Sequence, residues 1–367
     1  MEFKAAVLER VGAPLAVRTV KAGALGPFDV GVRMRASGLC HTDLEAMHGA
    51  VATRVPAVLG HEGAGIVDAV GAAVTAVKPG DHVVCSWNPH CGHCFYCEQD
   101  VPILCDRHIG AHRDGTIGDG APRLVLDGAP LHHFMAVSSH AEYAVVTEAS
   151  AIKVPAEIPF DRACLIGCGV MTGVGGAVRM ARVSPGASAL VVGCGAVGLN
   201  AVQGAMIARA EPIIAVDLSD HRLELARKLG ATDLLNPTRD DVIARVRQLT
   251  HGRGADFAFE AGGGEAPLQL TLEAARPGAT IVILGKTDPS KHVSLRFGSL
   301  MGEKRIVRSS YGNARPQRDF PWLARLYLEG KLKLDELIDR RIALDQINEG
   351  FDGVKQGSLV RAVIQFS

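Results

Sequence analysis

The sequence predicts an α/β fold in which a β-rich segment precedes a doubly wound parallel sheet. Glycines spaced as G-x-G-x-x-G, at Gly193, Gly195 and Gly198, lie between an apolar run and a helix-forming stretch. Beyond them, apolar runs and helical stretches alternate until about residue 310. The segment up to about residue 35, by contrast, has short strand-like runs broken by glycine and proline. These three observations predict two kinds of architecture in one chain.

The composition is that of a globular protein with a sizeable core. The 367 residues suggest two domains, and 47% of the residues are hydrophobic. Lys and Arg (39) balance Asp and Glu (39), which argues against nucleic acid or an anionic membrane as partner. The N-terminus lacks the apolar core of a signal peptide, and we expect no membrane-spanning run and a cytoplasmic location. Nine cysteines in that compartment indicate metal binding or chemistry.

The glycine motif has the context of a dinucleotide site. Residues 189–192 are apolar, and residues 199–210 form helices well, so the turn would present backbone N–H groups and a helix N-terminus to a pyrophosphate. A second apolar run ends in Asp217. This acid follows the glycine motif by about the number of residues expected for a carboxylate that binds the ribose. A turn that only eases packing is the alternative. The predicted cofactor-binding turn is Gly193, Gly195, Ala196, Val197 and Gly198.

The other elements follow from periodicity and turn residues. Residues 106–140 suggest a long functional loop, and residues 164–173 should lead into a helix that ends near Ala181. We expect helices at 222–229, 264–275, 321–328 and 347–355, and strands at 256–260, 280–284 and 359–366.

Four cysteines form the most specific metal signal. Cys91, Cys94, Cys97 and Cys105 have the spacing C-x2-C-x2-C-x7-C, which can close a tetrahedral thiolate shell around one structural zinc. An iron–sulfur cluster is the rival, but its bacterial motif is tighter and ends in Cys-Pro, whereas Asp106 follows here.

Three further motifs complete a resemblance that covers nearly the whole chain. They are Gly-Leu-Cys40-His-Thr42-Asp43, Gly60-His61-Glu62-Gly-Ala-Gly and Ile-Gly-Cys168-Gly. With the cysteine lobe and the glycine turn, they resemble the zinc-dependent medium-chain alcohol dehydrogenases. That resemblance implies a Rossmann domain inserted into a β-rich, GroES-like catalytic domain. The implied boundaries are 1–169 for the catalytic domain with its zinc lobe at 91–105, 170–310 for the NAD-binding domain and 311–367 for the return.

The resemblance also implies site roles. Cys40, His61 and Cys168 would hold a catalytic zinc with one open position, where zinc lowers the pKa of the alcohol so that a hydride can leave towards the nicotinamide. The expected supporting groups are Thr42 as proton carrier, Asp43 as orienter of the histidine, Glu62 as transient ligand and Glu45 as end of the proton relay.

Further residues are expected at the cofactor. His41 stands where relatives often have an arginine on the pyrophosphate, and Arg361 would clamp a phosphate unless it is a solvated strand-end arginine. Asp217 should favour NAD over NADP, because its carboxylate would repel the 2′-phosphate of NADP. Arg222 could weaken that repulsion.

The expected reaction is reversible oxidation of a primary aromatic or medium aliphatic alcohol by NAD. Trp87, Phe134 and Met135 would line an apolar channel with Thr42. A formaldehyde dehydrogenase acting on a glutathione or other thiol adduct is the alternative, for which Arg113 and Arg123 are candidate anion-binding residues. A zinc-free, non-catalytic dinucleotide-binding relative is a lower alternative. We expect two zinc ions per chain, NAD and a homo-oligomer, a dimer rather than a tetramer.

Overall fold

The computed structural model describes residues 1–288 and 290–367. The chain forms two compact units. Unit 1 consists of Met1–Cys168 and Arg315–Ser367, and unit 2 consists of Gly169–Ala314. The boundaries expected from the sequence, after residues 169 and 310, differ from these by one and four residues.

Strands predominate up to about residue 153, and strands and helices alternate from Ala189 onwards. The strands are β1 (Glu2–Leu8), β2 (Ala16–Ala22), β3 (Asp29–Gly38), β4 (Ala57–Val58), β5 (Glu62–Val70), β6 (His82–Cys85), β7 (Leu124–Leu126), β8 (Ala129–His133), β9 (Tyr143–Thr147), β10 (Ala151–Lys153), β11 (Ala189–Val192), β12 (Ile213–Val216), β13 (Asp233–Leu235), β14 (Ala255–Glu260), β15 (Ala275–Ile283), β16 (Arg305–Arg308), β17 (Arg340–Ile342) and β18 (Ala362–Gln365). The α-helices are α1 (His41–Met47), α2 (Phe95–Glu98), α3 (Asp106–Asp114), α4 (Phe160–Leu165), α5 (Met171–Gly175), α6 (Ala196–Ile207), α7 (Asp220–Lys228), α8 (Val242–Leu249), α9 (Glu265–Ala274), α10 (Pro316–Leu328) and α11 (Ile347–Lys355).

Unit 1 is the β-rich part. Strands β1, β2, β7, β8 and β4 close a barrel, and a second sheet has the order β10-β6-β5-β3-β18-β17, with β9 also paired to β3. In that sheet Gly38 of β3 lies opposite Glu62 of β5. Cys40 follows the end of β3 and His61 precedes the start of β5, so the register brings these two residues to the same end of the sheet.

Unit 2 is a parallel sheet with the order β13-β12-β11-β14-β15-β16. Across the sheet, the strand numbers fall from β13 to β11 and then rise from β14 to β16. The order therefore switches between β11 and β14, which pair from Ala189 with Phe257 to Val192 with Glu260. This is the doubly wound arrangement that the sequence predicts, and ligands bind at the carboxyl ends of strands where the order reverses. The glycine turn follows β11 at that position.

The stretch 106–140 is not the irregular loop expected from its Gly, His and Asp content. It contains α3, β7 and β8. Ile117, Leu124 and Leu131 are buried in the barrel core, and this burial stabilises an ordered backbone. Helix α3 ends at Gly115, whose φ of 65° is left-handed. The apolar positions are too widely spaced in this stretch for sequence periodicity to reveal them.

Two helices also differ from expectation. Helix α10 begins at Pro316 rather than near residue 321, because proline suits the first helical turn, and Pro321 is accommodated inside the helix. A continuous helical stretch, Phe160–Ala181, is long and apolar enough to cross a membrane, so the expectation that no run has that length is wrong. Since 78% of its most apolar window is buried, it has the character of a core helix.

Candidate active site and metal centres

Four ligand-type side chains meet at the end of the unit 1 sheet. One donor atom from each of Cys40, His61, Glu62 and Cys168 lies within 4.8 Å of the others. Cys40 is the residue before α1, and Cys168 lies in the π-helical turn Ile166–Val170. Two thiols and an imidazole are the donors of one known class of catalytic zinc sites.

Asp43 fixes the imidazole in this cluster. The Asp43 carboxylate is fully buried and accepts from the Gly60 N–H at 3.0 Å and the Cys40 N–H at 3.2 Å. Its Oδ1 also lies 3.2 Å from Nδ1 of His61. Within the described residues, Nε2 of the buried His61 has no hydrogen-bond partner. An imidazole held at Nδ1 by a carboxylate and left open at Nε2 is the arrangement that metal ligation requires.

The cluster is electrostatically coupled. The contact with Cys168 holds the pKa of Cys40 well below its usual value, although burial opposes this. Burial would lower the pKa of His61, but Asp43 and Cys40 outweigh it and raise the pKa. Zinc binding here would release protons from these groups, because zinc binds thiolate and neutral imidazole. The donor set therefore fits zinc.

Arg361 is not the solvated strand-end arginine that the sequence left as the alternative. Its guanidinium is buried, with Nη2 donating to Oε1 of Glu62 at 2.8 Å and Nη1 donating to the Leu39 carbonyl at 2.9 Å. The phosphate-clamp role stays a prediction beside this buried ion pair with Glu62. Burial raises the pKa of Glu62 to about 7, although Arg361 opposes that rise.

The second metal-type cluster is the four-cysteine lobe. The sulfurs of Cys91, Cys94, Cys97 and Cys105 lie within 4.8 Å of one another, with Cys91–Cys97 at 4.0 Å and Cys94–Cys105 at 3.9 Å. Zn–S bonds of about 2.3 Å in a tetrahedron place sulfurs roughly 3.8 Å apart. The lobe therefore fits one zinc ion with all four positions filled by protein.

The glycine turn of unit 2 has the geometry of a phosphate cradle. Gly193 has φ +94°, and a Cβ there would lie 2.5 Å from the Gly262 nitrogen. A Cβ on Gly198 would collide with the Gly193 carbonyl, which the start of α6 packs against. A Cβ on Gly195, however, would meet nothing within 4 Å and would enter open space. The first and third glycines permit the close packing, and the second leaves room for a pyrophosphate.

Asp217 is held beside this turn. Its Oδ2 accepts from the Cys194 N–H at 2.7 Å, and its Oδ1 accepts from the Ser219 N–H at 2.9 Å. The side chain remains partly exposed. Arg222 lies in the first turn of α7, close enough to Cys194 to oppose the rise in the pKa of that thiol caused by burial and by Asp217. A carboxylate so placed can accept from ribose hydroxyls.

Comparison with known proteins gives the same picture. Residues 26–156 match the alcohol dehydrogenase GroES-like domain family, and residues 196–329 match the zinc-binding dehydrogenase family. The chain is 36% identical, over the full length of both proteins, to the class-3 alcohol dehydrogenase of Cereibacter sphaeroides. The S-(hydroxymethyl)glutathione dehydrogenase of Paracoccus denitrificans is also 36% identical over both full lengths. The crystal structure of benzyl alcohol dehydrogenase from Acinetobacter calcoaceticus matches all of both chains with a TM-score of 0.94 and 33% identity.

The chain belongs to the zinc-dependent medium-chain alcohol dehydrogenase family. It is an oxidoreductase with zinc and NAD as cofactors, as the sequence predicts. The thiol and imidazole clusters of unit 1 fit the metal, and the glycine turn of unit 2 fits the dinucleotide. The zinc-free alternative is not supported, because both clusters are present.

Besides Asp43, this alcohol dehydrogenase carries three further predicted site residues on α1. His41 is its exposed first residue, and Thr42 and Glu45 are partly buried further along. Their roles in cofactor binding and proton transfer stay predictions.

One aromatic side chain lies beside the zinc-type cluster. The Phe134 ring is buried and edge-on to the His61 ring, with 6.0 Å between the two ring centroids, and Met135 is partly buried against the same core. Trp87 is partly buried against the core that includes Val83 and Cys85 of β6, and its ring centroid lies 6.4 Å from that of His112. The roles of Trp87, Phe134 and Met135 as pocket residues stay predictions.

Sequence reasoning missed two residues near the cluster. His140 and Ser37 are fully buried and hydrogen-bonded to each other beside Asp43. The only signal was the polar run Ser138-Ser139-His140 immediately before a strand.

Proposed function

We propose that this alcohol dehydrogenase oxidises primary alcohols, aromatic or medium aliphatic, to aldehydes with NAD, and catalyses the reverse reaction. The observation that carries the proposal is the apolar wall beside the metal cluster, where Phe134 contacts the His61 ring edge-on. An apolar wall beside a Lewis acid favours a substrate with one polar atom and a hydrophobic body. Benzyl alcohol dehydrogenase, with its similar fold, is consistent with this choice.

The proposed roles of the residues follow from their positions. Cys40, His61 and Cys168 hold the catalytic zinc, which when bound makes the alcohol more acidic and polarises the carbonyl in reverse. Asp43 holds His61 in the ligating tautomer. Thr42 takes the alcohol proton.

Glu62 is the proposed transient ligand. Its carboxylate lies within the ligand cluster, and its Oε1 is paired with Arg361. The arginine therefore opposes any movement of the carboxylate towards the metal, and ligand exchange involving Glu62 requires this ion pair to loosen.

Substrate size is the proposed role of Trp87 and Met135. Trp87 packs on the core beneath β6, and an indole there is large enough to narrow a pocket for primary rather than bulky secondary alcohols. Met135 lies next to Phe134 in a left-handed backbone conformation, with φ 49°. Its flexible thioether suits the outer, more adaptable part of the channel.

A glutathione–formaldehyde adduct is the second candidate, because the S-(hydroxymethyl)glutathione dehydrogenase relative is 36% identical over its whole length. The arginines suggested for this role are poorly suited to it. Arg123 is buried and paired with Asp29 and Asp119. Arg113 is exposed on α3 beside Asp114. These two arginines would therefore offer little to the carboxylates of glutathione.

A substrate panel tests the proposal. We expect NAD reduction with benzyl alcohol and hexan-1-ol at kcat/KM values at least tenfold above those for cyclohexanol and the glutathione–formaldehyde adduct. Trp87→Ala should raise kcat/KM for cyclohexanol relative to benzyl alcohol, because it enlarges the pocket. Arg113→Ala should leave the panel unchanged. Preference for the adduct, abolished by Arg113→Ala, would instead establish the second candidate.

The same proposal includes a cytoplasmic homodimer. The cysteines of the two metal-type clusters are all free thiols rather than disulfides, which supports a reducing compartment. Size-exclusion chromatography with light scattering separates monomer, dimer and tetramer.

A further inference from the structure

His140 is a buried histidine next to the group that orients the metal ligand. It lies between β8 and β9, is fully buried, and its Nδ1 is 2.9 Å from the Ser37 hydroxyl. Its Nε2 lies 3.7 Å from Oδ1 of Asp43 and has no hydrogen-bond partner within the described part of the chain. The same Oδ1 faces Nδ1 of His61 at 3.2 Å. Two imidazoles therefore face one carboxylate oxygen.

The surroundings of His140 define its tautomer. Burial lowers the pKa of His140 to about 4, so the ring is neutral near pH 7 and carries one N–H. A lone pair on Nε2 would face the lone pairs of the Asp43 carboxylate, which is repulsive, so the proton belongs on Nε2. Nδ1 then accepts from the Ser37 hydroxyl, and Ser37 accepts in turn from the Ser139 hydroxyl at 2.7 Å.

We propose that His140 is a positioning residue for the catalytic zinc, acting through Asp43. The Nε2–H dipole points at Oδ1 and stabilises the carboxylate in the orientation that holds His61. At 3.7 Å the contact is longer than a hydrogen bond, so its effect is that of a nearby dipole in a buried site, where the local dielectric is low. The inference rests on the proposed assignment of Cys40, His61 and Cys168 as zinc ligands.

The backbone is shaped around this ring. Gly60 precedes His61, has φ +95° and donates its N–H to Asp43. A Cβ on Gly60 would lie 2.5 Å from the backbone nitrogen of His140 and 2.7 Å from Cγ of its ring. The Phe351 ring packs edge-on against the imidazole, with 5.9 Å between the two ring centroids. The close approach of Gly60 and the contact with Phe351 both restrict movement of the imidazole beside Asp43.

Zinc retention is the measurement that tests the inference. Purified enzyme with two zinc ions per chain is mixed with excess chelator, and the release of each ion is followed with a chromogenic zinc indicator. Loss of an outer partner of a ligand typically costs about 10–100-fold in metal affinity. Because this contact is long, we expect about tenfold faster release from the Cys40–His61–Cys168 site in His140→Phe. The four-cysteine zinc is an internal reference, and its release rate should not change.

Matched variants separate positioning from packing. His133→Phe makes the same substitution at another buried histidine, whose ring nitrogens have no hydrogen-bond partner among the described residues, and it should release zinc like the wild type. His140→Gln retains an N–H at the position of Nε2 and should recover most of the retention. Ser37→Ala keeps the ring but removes the donor that fixes its tautomer, and it should release the catalytic zinc a few-fold faster.

Each outcome decides the question. Equal release by His140→Phe, His133→Phe and the wild type overturns the inference, as does a His140→Gln variant no better than His140→Phe. Faster release at both metal sites together indicates a general loss of stability and overturns it too. Should His140→Phe not fold, Ser37→Ala with wild-type release overturns it. A wild-type enzyme with only one zinc per chain would contradict the proposed ligand set, a failure distinct from that of the inference.

Discussion

Asp217 sets the cofactor preference that we expect for this alcohol dehydrogenase. The 2′-phosphate of NADP would enter the space in which this carboxylate binds the ribose hydroxyls of NAD. Two unit charges about 4 Å apart repel by about 1 kcal/mol in water and about 4 kcal/mol at an effective dielectric of 20. Because Asp217 is only partly exposed, the repulsion lies between these two values, and Arg222 offsets part of it. About 1.4 kcal/mol corresponds to a tenfold preference for NAD.

Removing the charge has a second effect that the structure makes visible. Asp217 accepts from the backbone N–H groups of Cys194 and Ser219, so it also holds the phosphate turn in place. Asp217→Gly removes the repulsion and both turn contacts, whereas Asp217→Asn removes the charge and keeps one acceptor. We expect both variants to gain about tenfold in kcat/KM with NADP relative to NAD. The glycine variant should lose more activity with NAD than the asparagine variant.

The assay is kcat/KM for NAD and NADP with one saturating alcohol, in the wild type and both variants. Arg222→Ala is the control for the neighbouring cation, and it should sharpen the preference for NAD. Equal use of both cofactors by the wild type would refute the reasoning. So would variants that lose NAD activity without any gain in relative NADP activity, since Asp217 would then serve only the turn.

The remaining predictions concern metal, proton and stability. Cys168→Ser should abolish turnover and leave about one zinc per chain in a folded protein, whereas Cys97→Ser should impair folding. Zinc analysis and circular dichroism measure the two effects. If the two variants behaved alike in both measurements, the division into a catalytic and a structural site would be contradicted. Thr42→Val should lower kcat by about 10²–10⁴ with little change in cofactor affinity, and a near-wild-type rate would mean another proton route. Asp161 is buried against Arg162 and Arg341, which hold its pKa below the usual range despite the opposing effect of burial. The ionised Asp161 therefore contributes fully to the free energy of unfolding above the unfolded pKa of about 4, and this contribution is lost as the pH falls below that value. Asp161→Asn should cost about 1–3 kcal/mol in urea unfolding at pH 7, since the arginines are partly exposed, and less at pH 3; an equal cost at both pH values would show that the charge is irrelevant.

The parts of the site that the sequence predicts are those with local geometry. The four cysteines span fifteen positions, Cys91 to Cys105, and their spacing alone brings them into one lobe. The glycine turn likewise joins adjacent elements, β11 and α6, so the requirement at each glycine can be inferred from neighbours in sequence. Alternating strands and helices gave unit 2 its predicted topology for the same reason.

Pairings made by sheet register escape this kind of reasoning. The Glu62–Arg361 pair is separated by 299 positions, and the His140–Ser37 contact by 103. From the sequence alone, Arg361 could be a phosphate ligand or a solvated residue at the end of a strand. Only the pairing of the neighbouring strands shows that it lies against the buried Glu62. The order in residues 106–140 was missed for a related reason, since its scattered apolar residues complete a barrel core to which β1 and β2 also contribute.

The register of β3 explains why the catalytic unit needs both ends of the chain. Gly38 at the end of β3 lies opposite Glu62 on one side and Val363 on the other. The two neighbouring strands thus deliver Glu62 and Arg361 to the same end of the sheet as Cys40. Removing one member of a buried ion pair typically costs about 3–5 kcal/mol, because the other charge stays buried. A chain ending before unit 1 resumes at Arg315 would lose that cation beside the metal ligands. Because unit 2 is an insertion, the chain returns to unit 1 at Arg315. Its C-terminal segment then supplies Arg361 to a site whose metal-type ligands come from the first 168 residues.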